Sequence, residues 1–183
     1  MDKDLGIAVV GLGAAARNIH LPAIRKIAGL RLLGGVDPYA DAAAHDFPVY
    51  ASLAELAAAT PPDIVAIVTP PDSHYALIRE SLALGAHVFC EKPFVLTLEE
   101  GRAVIAAAQA ADRHVVVNNE FRFMNVHEAA RAAIGGADFG DLLFVSMHQT
   151  FFVTEETEKG WRGEGAQRTC FEFGTHALDL ARF

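Results

Sequence analysis

Apolar and polar positions along the chain repeat with two different periods. Short, β-branched apolar runs recur at residues 5–10, 30–36, 63–69, 86–90 and 115–117, the pattern of parallel strands buried on both faces. Between them apolar residues return every three or four positions, through Ile19, Ala23, Ile24 and Ile27 and later through Tyr75, Ile78, Leu82 and Leu84. That spacing marks one face of a helix. Strict alternation of strand and helix predicts an α/β fold, a doubly wound parallel sheet with helices on both faces.

The punctuation agrees with this order. Ser52-Leu53-Ala54-Glu55 and Thr97-Leu98-Glu99-Glu100 have the form of capping boxes and predict helix starts. Asp72 or Ser73 is placed to cap the helix through Tyr75, and Gly85 sits where a left-handed residue ends it. A short helix is expected over residues 39–46 and a short strand at Val49-Tyr50. After Asn118 the alternation stops. A helix is expected from Val126 to Ile134, a long strand over 142–152 with Phe144, Met147 and Phe151, a polar loop over 154–168 with Trp161, and an apolar helix over 171–183. Two domains are expected, at residues 1–122 and 123–183.

The formal charge of −8 over 183 residues, with no basic cluster, argues against a nucleic-acid surface, where Lys and Arg must neutralise phosphates. Cys90 and Cys170 lie in apolar surroundings without paired spacing, so both are expected as buried small hydrophobes, neither bridged nor metal-bound. The apolar run at 5–10 is too short for a membrane span or signal peptide. A cytoplasmic protein is expected.

Candidate chemistry begins with Gly11-Leu12-Gly13-Ala14-Ala15-Ala16 between the first strand and first helix. Gly11 permits a tight turn, Gly13 lets a pyrophosphate approach the backbone, Ala16 allows close helix packing, and the helix start faces the anion. Asp37 ends the second strand, 26 residues after Gly11, near the place of a ribose-binding carboxylate. This is the Rossmann-type arrangement. No arginine or lysine occurs between Asp37 and Arg79, so NAD is favoured over NADP, whose 2′-phosphate would meet the Asp37 charge. Lys92 ends the apolar run at 86–90 and is aimed at the cleft beyond the carboxyl ends of the strands.

Three further segments resemble the Gfo/Idh/MocA oxidoreductases. Val68-Thr69-Pro70-Pro71-Asp72-Ser73-His74 is similar to their T-P-P-x-x-H turn, Gly85 to Pro93 to their G-x-H-V-x-x-E-K-P signature, and Phe121-Arg122-Phe123 to an R-F element at the domain crossover. The resemblance implies that Thr69, Pro70 and Pro71, with His74 in the same turn, border the nicotinamide side of the cofactor. It implies that Glu91 supports the turn and Lys92 contacts the reacting hydroxyl. The peptide into Pro93 is expected to be cis. Glu172, His176 and Asp179 fit the family's acid, three residues, histidine, two residues, aspartate spacing, although many members carry aspartate where Glu172 stands.

Hydride transfer from a carbinol requires loss of the hydroxyl proton, which a positioned base accelerates about 10²- to 10⁴-fold. His176, of a type that titrates near neutrality, is a natural acceptor, and Lys92 either stabilises the alkoxide or joins the relay; which of them takes the proton stays open. Glu172 is the third catalytic candidate. His20 is placed to face the cofactor; His45, His87, His114, His127 and His148 read as surface or packing residues. No metal is expected, since Glu172, His176, Asp179 and His148 lack metal-site spacing.

The family's second domain is a mostly antiparallel sheet, and residues 123–183 hold only its beginning, an incomplete α+β domain. The chain is therefore expected to be a truncated form or to meet a partner, and the 142–152 strand is where a homo-oligomer would form. Two functions follow: a dehydrogenase acting on a sugar, polyol or similar small substrate, or an NAD-binding module without turnover.

Overall fold

The computed structural model describes residues 4–150 and 170–183, without the side chains of Phe171 and Glu172. The chain divides into two compact units, Met1–Asn118 and Asn119–Phe183.

The first unit is a six-stranded sheet formed by β1 (Leu5–Val10), β2 (Leu30–Val36), β3 (Val49–Tyr50), β4 (Ile64–Ile67), β5 (His87–Cys90) and β6 (Val115–Val117). All neighbours are parallel, in the order β3-β2-β1-β4-β5-β6. This is the doubly wound Rossmann arrangement, and the order reverses between β1 and β4, which opens a crevice at their carboxyl ends. The two-residue period of the strands divides their side chains between two cores. Ala8, Val10, Val65 and Ile67 pack with Leu53, Leu56, Ile78 and Leu82 on one face, while Ile7, Val9, Ala66 and Val68 pack with Leu21 and Ile24 on the other. The unbroken apolar runs exist because both faces are covered.

The covering helices are α1 (Leu21–Ile24), α2 (Leu53–Ala59), α3 (His74–Ala83) and α4 (Leu98–Ala111). The capping signals hold: Ser52 Oγ accepts from Glu55 N–H at 3.2 Å, and Thr97 and Glu100 form the full reciprocal box. Gly85 has φ +78°.

Several expectations need correction. The helix over 39–46 is a single 3₁₀ turn, Ala42–Ala44; the Asp41 side chain accepts from Ala43 N–H, a local bond that caps a turn without enough residues behind it to extend. Ser73 is the N-cap residue of α3, but its side chain makes no capping bond, because its hydroxyl bonds backward, to Pro70 O at 2.8 Å and Thr69 Oγ1 at 2.6 Å. Cys90 is buried but Cys170 is exposed.

The second unit contains α5 (Asn125–Ile134), a π-helical segment Cys170–Gly174 and α6 (Thr175–Arg182). The long strand expected over 142–152 is absent from its described part: residues 142–150 carry no assigned secondary structure, and Leu143 and Phe144 are exposed. Apolar composition suits a strand, but a strand exists only where a neighbour completes its ladder. The polar loop at 154–168, with Trp161, and Phe151 and Phe152 lie outside the described residues.

Candidate functional site

In the first unit the predicted residues converge on the carboxyl ends of β1, β2, β4 and β5. Gly11 follows β1 with φ +88°, and a Cβ there would lie 2.7 Å from Val68 O and 2.8 Å from Thr69 Cγ2. Glycine is required on both counts. A Cβ on Gly13 would meet no protein atom within 4 Å, so the small residue keeps open a space that belongs to no neighbour in the fold. Gly13, Ala14 and Ala15 border this open space at the start of the helical stretch, and it could take a diphosphate.

Asp37 follows β2. Its Oδ2 accepts from Leu12 N–H at 3.0 Å and its Oδ1 from Tyr39 N–H at 2.9 Å. The carboxylate is thus fixed against the glycine turn, with acceptor capacity remaining on both oxygens. The cradle and the carboxylate fit a dinucleotide's diphosphate and ribose.

Beyond β4, Thr69 and Pro70 form the adjoining wall and Pro71 opens the 3₁₀ turn Pro71–Ser73. His74 was expected to line the cofactor side, but it is fully buried. Its Nε2 lies 2.9 Å from Thr69 O and its Nδ1 2.9 Å from Pro93 O. The ring bridges the Thr69 turn and the turn after β5, leaving no exposed surface for a ligand.

After β5 come Glu91, Lys92 and a cis peptide to Pro93. Glu91 Oε1 accepts from His20 Nε2 at 2.7 Å and from Asn118 Nδ2 at 2.8 Å, and its Oε2 accepts from Lys92 N–H at 3.1 Å. Burial pushes the Glu91 carboxyl up, but the bonds from His20 and Asn118, the electrostatic attraction of His20 and the Lys92 N–H outweigh it and hold the group below the usual carboxylate range. The neighbouring Cys90 thiol, buried and beside this charge, is pushed up to about 12; it is no nucleophile. Lys92 is partly exposed.

His20 ends a π-helical turn, Ala16–His20, of a kind frequent at functional sites, and from there it reaches Glu91. It is buried, edge-on to Phe89 at 5.9 Å, and does not present its bonded Nε2 to a cofactor. Sequence reasoning missed this network. His20 and Glu91 are 71 residues apart, and no local pattern connects them.

The second unit organises His176. The imidazole is buried and stacked on Phe121 at 3.9 Å with 9° between the planes, and His127 stacks near Phe121 at 6.0 Å. Asp179, one helical turn after His176, takes Arg122 in a two-pronged pair at 2.5 Å per contact and accepts from Asn119 Nδ2 at 3.0 Å. Asp179 raises the Arg122 guanidinium above its ordinary value. The Arg-Phe element therefore acts by clamping the histidine helix, and the spacing of three between His176 and Asp179 was the available signal. The Glu172 side chain lies outside the described residues. Among the described residues no group of three or more His, Cys, Asp or Glu could hold a metal, and no helix is long and apolar enough to cross a membrane.

A glycine turn, Asp37 at the end of β2 and the Lys92 turn on a doubly wound parallel sheet have the layout of a dinucleotide-binding α/β fold. Comparison with known proteins agrees: residues 5–119 match the model of the oxidoreductase family with an NAD-binding Rossmann fold, and the chain belongs to this Gfo/Idh/MocA family. It is 31% identical to a D-apiose dehydrogenase of Paraburkholderia graminis over 96% of this chain and 48% of that protein. It is 32% identical to an inositol 2-dehydrogenase of Leifsonia xyli over 83% of this chain and 47% of that protein. A similar solved structure is the WlbA dehydrogenase of Chromobacterium violaceum in complex with NADH and UDP-GlcNAcA, at 31% identity and TM-score 0.67 over 76% of this chain and 42% of that one. The chain spans about half the length of the curated relatives it matches.

Proposed function

We propose that this chain belongs to an NAD-dependent dehydrogenase that moves hydride between the nicotinamide and a hydroxyl or carbonyl carbon of a sugar, polyol or similar small substrate. The observation that carries this reading is the convergence of Gly13's open cradle, Asp37 and the Lys92 turn at the carboxyl ends of the parallel strands. The dehydrogenase names of the relatives and the NADH of the similar structure support it.

Gly11, Gly13, Ala14 and Ala15 form the diphosphate cradle, and Asp37 takes the ribose hydroxyls, which favours NAD over NADP. Thr69, Pro70 and Pro71 border the nicotinamide, with Glu91 and His74 holding the surrounding turns. The cofactor, when bound, supplies the hydride acceptor or donor. Lys92 contacts the reacting hydroxyl and takes part in removing its proton; by the family spacing, His176 and Glu172 are the catalytic candidates of the second unit.

NADH and NADPH titrations, with absorbance assays over a panel of polyols and sugars, test the reading. Asp37→Ala should weaken NADH binding about tenfold or more and narrow the preference over NADPH. Lys92→Ala should lower turnover about 10²- to 10⁴-fold with NADH still bound. An Asp37→Ala protein with unchanged affinity for both cofactors, or tight NADH binding without turnover on every substrate, would overturn it.

A further inference from the structure

We infer that His20 and His74, buried histidines from different helical segments, are positioning residues that fix the Lys92 turn from its two sides. The inference rests on the proposed reading in that it gives Lys92 a reacting group to meet. Buried polar side chains must find partners, and where they find them shows what they hold. In the first unit the buried polar side chains among the described residues are His20, His74 and Ser81. Ser81 Oγ donates to Leu77 O in its own helix. The two histidines alone of these three reach across the fold, and both reach the same turn.

On one side, His20 holds Glu91 Oε1 while Glu91 Oε2 accepts the Lys92 N–H. On the other, His74 Nδ1 lies 2.9 Å from Pro93 O and its Nε2 2.9 Å from Thr69 O, so the ring sits between the two turns and its N–H donates to one of these carbonyls. Each histidine also belongs to a cofactor-wall segment: His20 ends the π-helical turn that follows the glycine cradle, and His74 follows the Thr69 turn. Lys92 is therefore braced against both walls. Asn118 adds a second donor to Glu91 from the end of β6. Without these donors a partly buried carboxylate would lack partners, and hydrogen bonds to charged groups are the costlier ones to lose.

The test is amide hydrogen exchange at Lys92 in the ¹⁵N-labelled chain, beside NADH titration, with the Val9 and Ala66 amides reporting global stability. In His20→Leu the Lys92 amide should exchange about tenfold faster or more, beyond any change at Val9 and Ala66. His20→Gln, which retains a donor, should restore it, and NADH affinity should stay within about twofold in both. His74→Leu should likewise loosen Lys92 and His74→Gln should recover part of the loss. Should the leucine variants fail to fold, Asn118→Ala, which removes the other Glu91 donor at a less buried position, should loosen Lys92 in the same direction. Lys92 exchange that follows the Val9 and Ala66 amides in every variant would overturn the inference. So would NADH affinity falling in step with it, since His20 would then be a cofactor contact. A wild-type chain that binds no NADH would sink the dehydrogenase reading separately, and the exchange at Lys92 would still decide the bracing.

Discussion

In the first unit, apolar side chains are buried on both faces of a six-stranded sheet, and the buried histidines reach turns 71 and 19 residues further along the chain. In the second unit, His176 is the one buried residue among those described; an aromatic ring covers it and a surface-reaching ion pair anchors its helix. The difference shows two ways of holding a buried histidine. A sheet core supplies burial first and lets polar groups choose distant partners within it. A helix with little core must carry its clamp on itself, one turn from the residue it serves.

The comparison can be broken at its strongest point with paired glycine changes. Gly11→Ala puts a Cβ against Val68 O at a positive φ and should cost about 3 kcal/mol or more. Gly13→Ala meets no protein atom, so stability should be unchanged or raised by up to about 1 kcal/mol while NADH affinity falls. Denaturant melts with NADH titration read both, and a Gly13→Ala protein that binds NADH normally would remove the cradle.

Asp179→Ala probes the second unit. Arg122 is well exposed, with a side-chain exposure of 39% against 11% for Asp179, so solvent screening lowers the loss to about 1–2 kcal/mol. It should appear as faster exchange in α6, with the β1 and β4 amides unmoved. Equal acceleration in β1 would contradict the local clamp.

The smallest effect uses one cysteine from each unit. With its pKa pushed up to about 12, Cys90 holds only about one thiolate in ten thousand at pH 8. Iodoacetamide should therefore label exposed Cys170 and leave Cys90 untouched until the chain is unfolded. Mass spectrometry of the digested protein checks this.

Strand and helix order was legible through Val117 because each signal there is local: apolar runs, capping boxes and glycine punctuation. The same local reading overextended at 39–46, where the Asp41 cap closes a single turn; the described residues 142–150 of the expected long strand carry no strand assignment. In the candidate site, Gly11, Gly13, Asp37 and Lys92 could be placed from the ends of strands alone. His74 could not be read correctly from its motif, since the motif does not reveal whether a turn residue faces inward or outward.

The sequence by itself determined the parallel sheet, the position of the glycine cradle and the strand end that carries Lys92, because these depend on residues close together in the chain. Only the tertiary structure decided that His20, Glu91 and Asn118 meet, that His74 joins two turns, and that Asp179 clamps Arg122. Those pairings span 19 to 71 residues, or depend on which way a buried ring points. Packing settles them, since a buried polar group takes whichever partner the fold brings within reach.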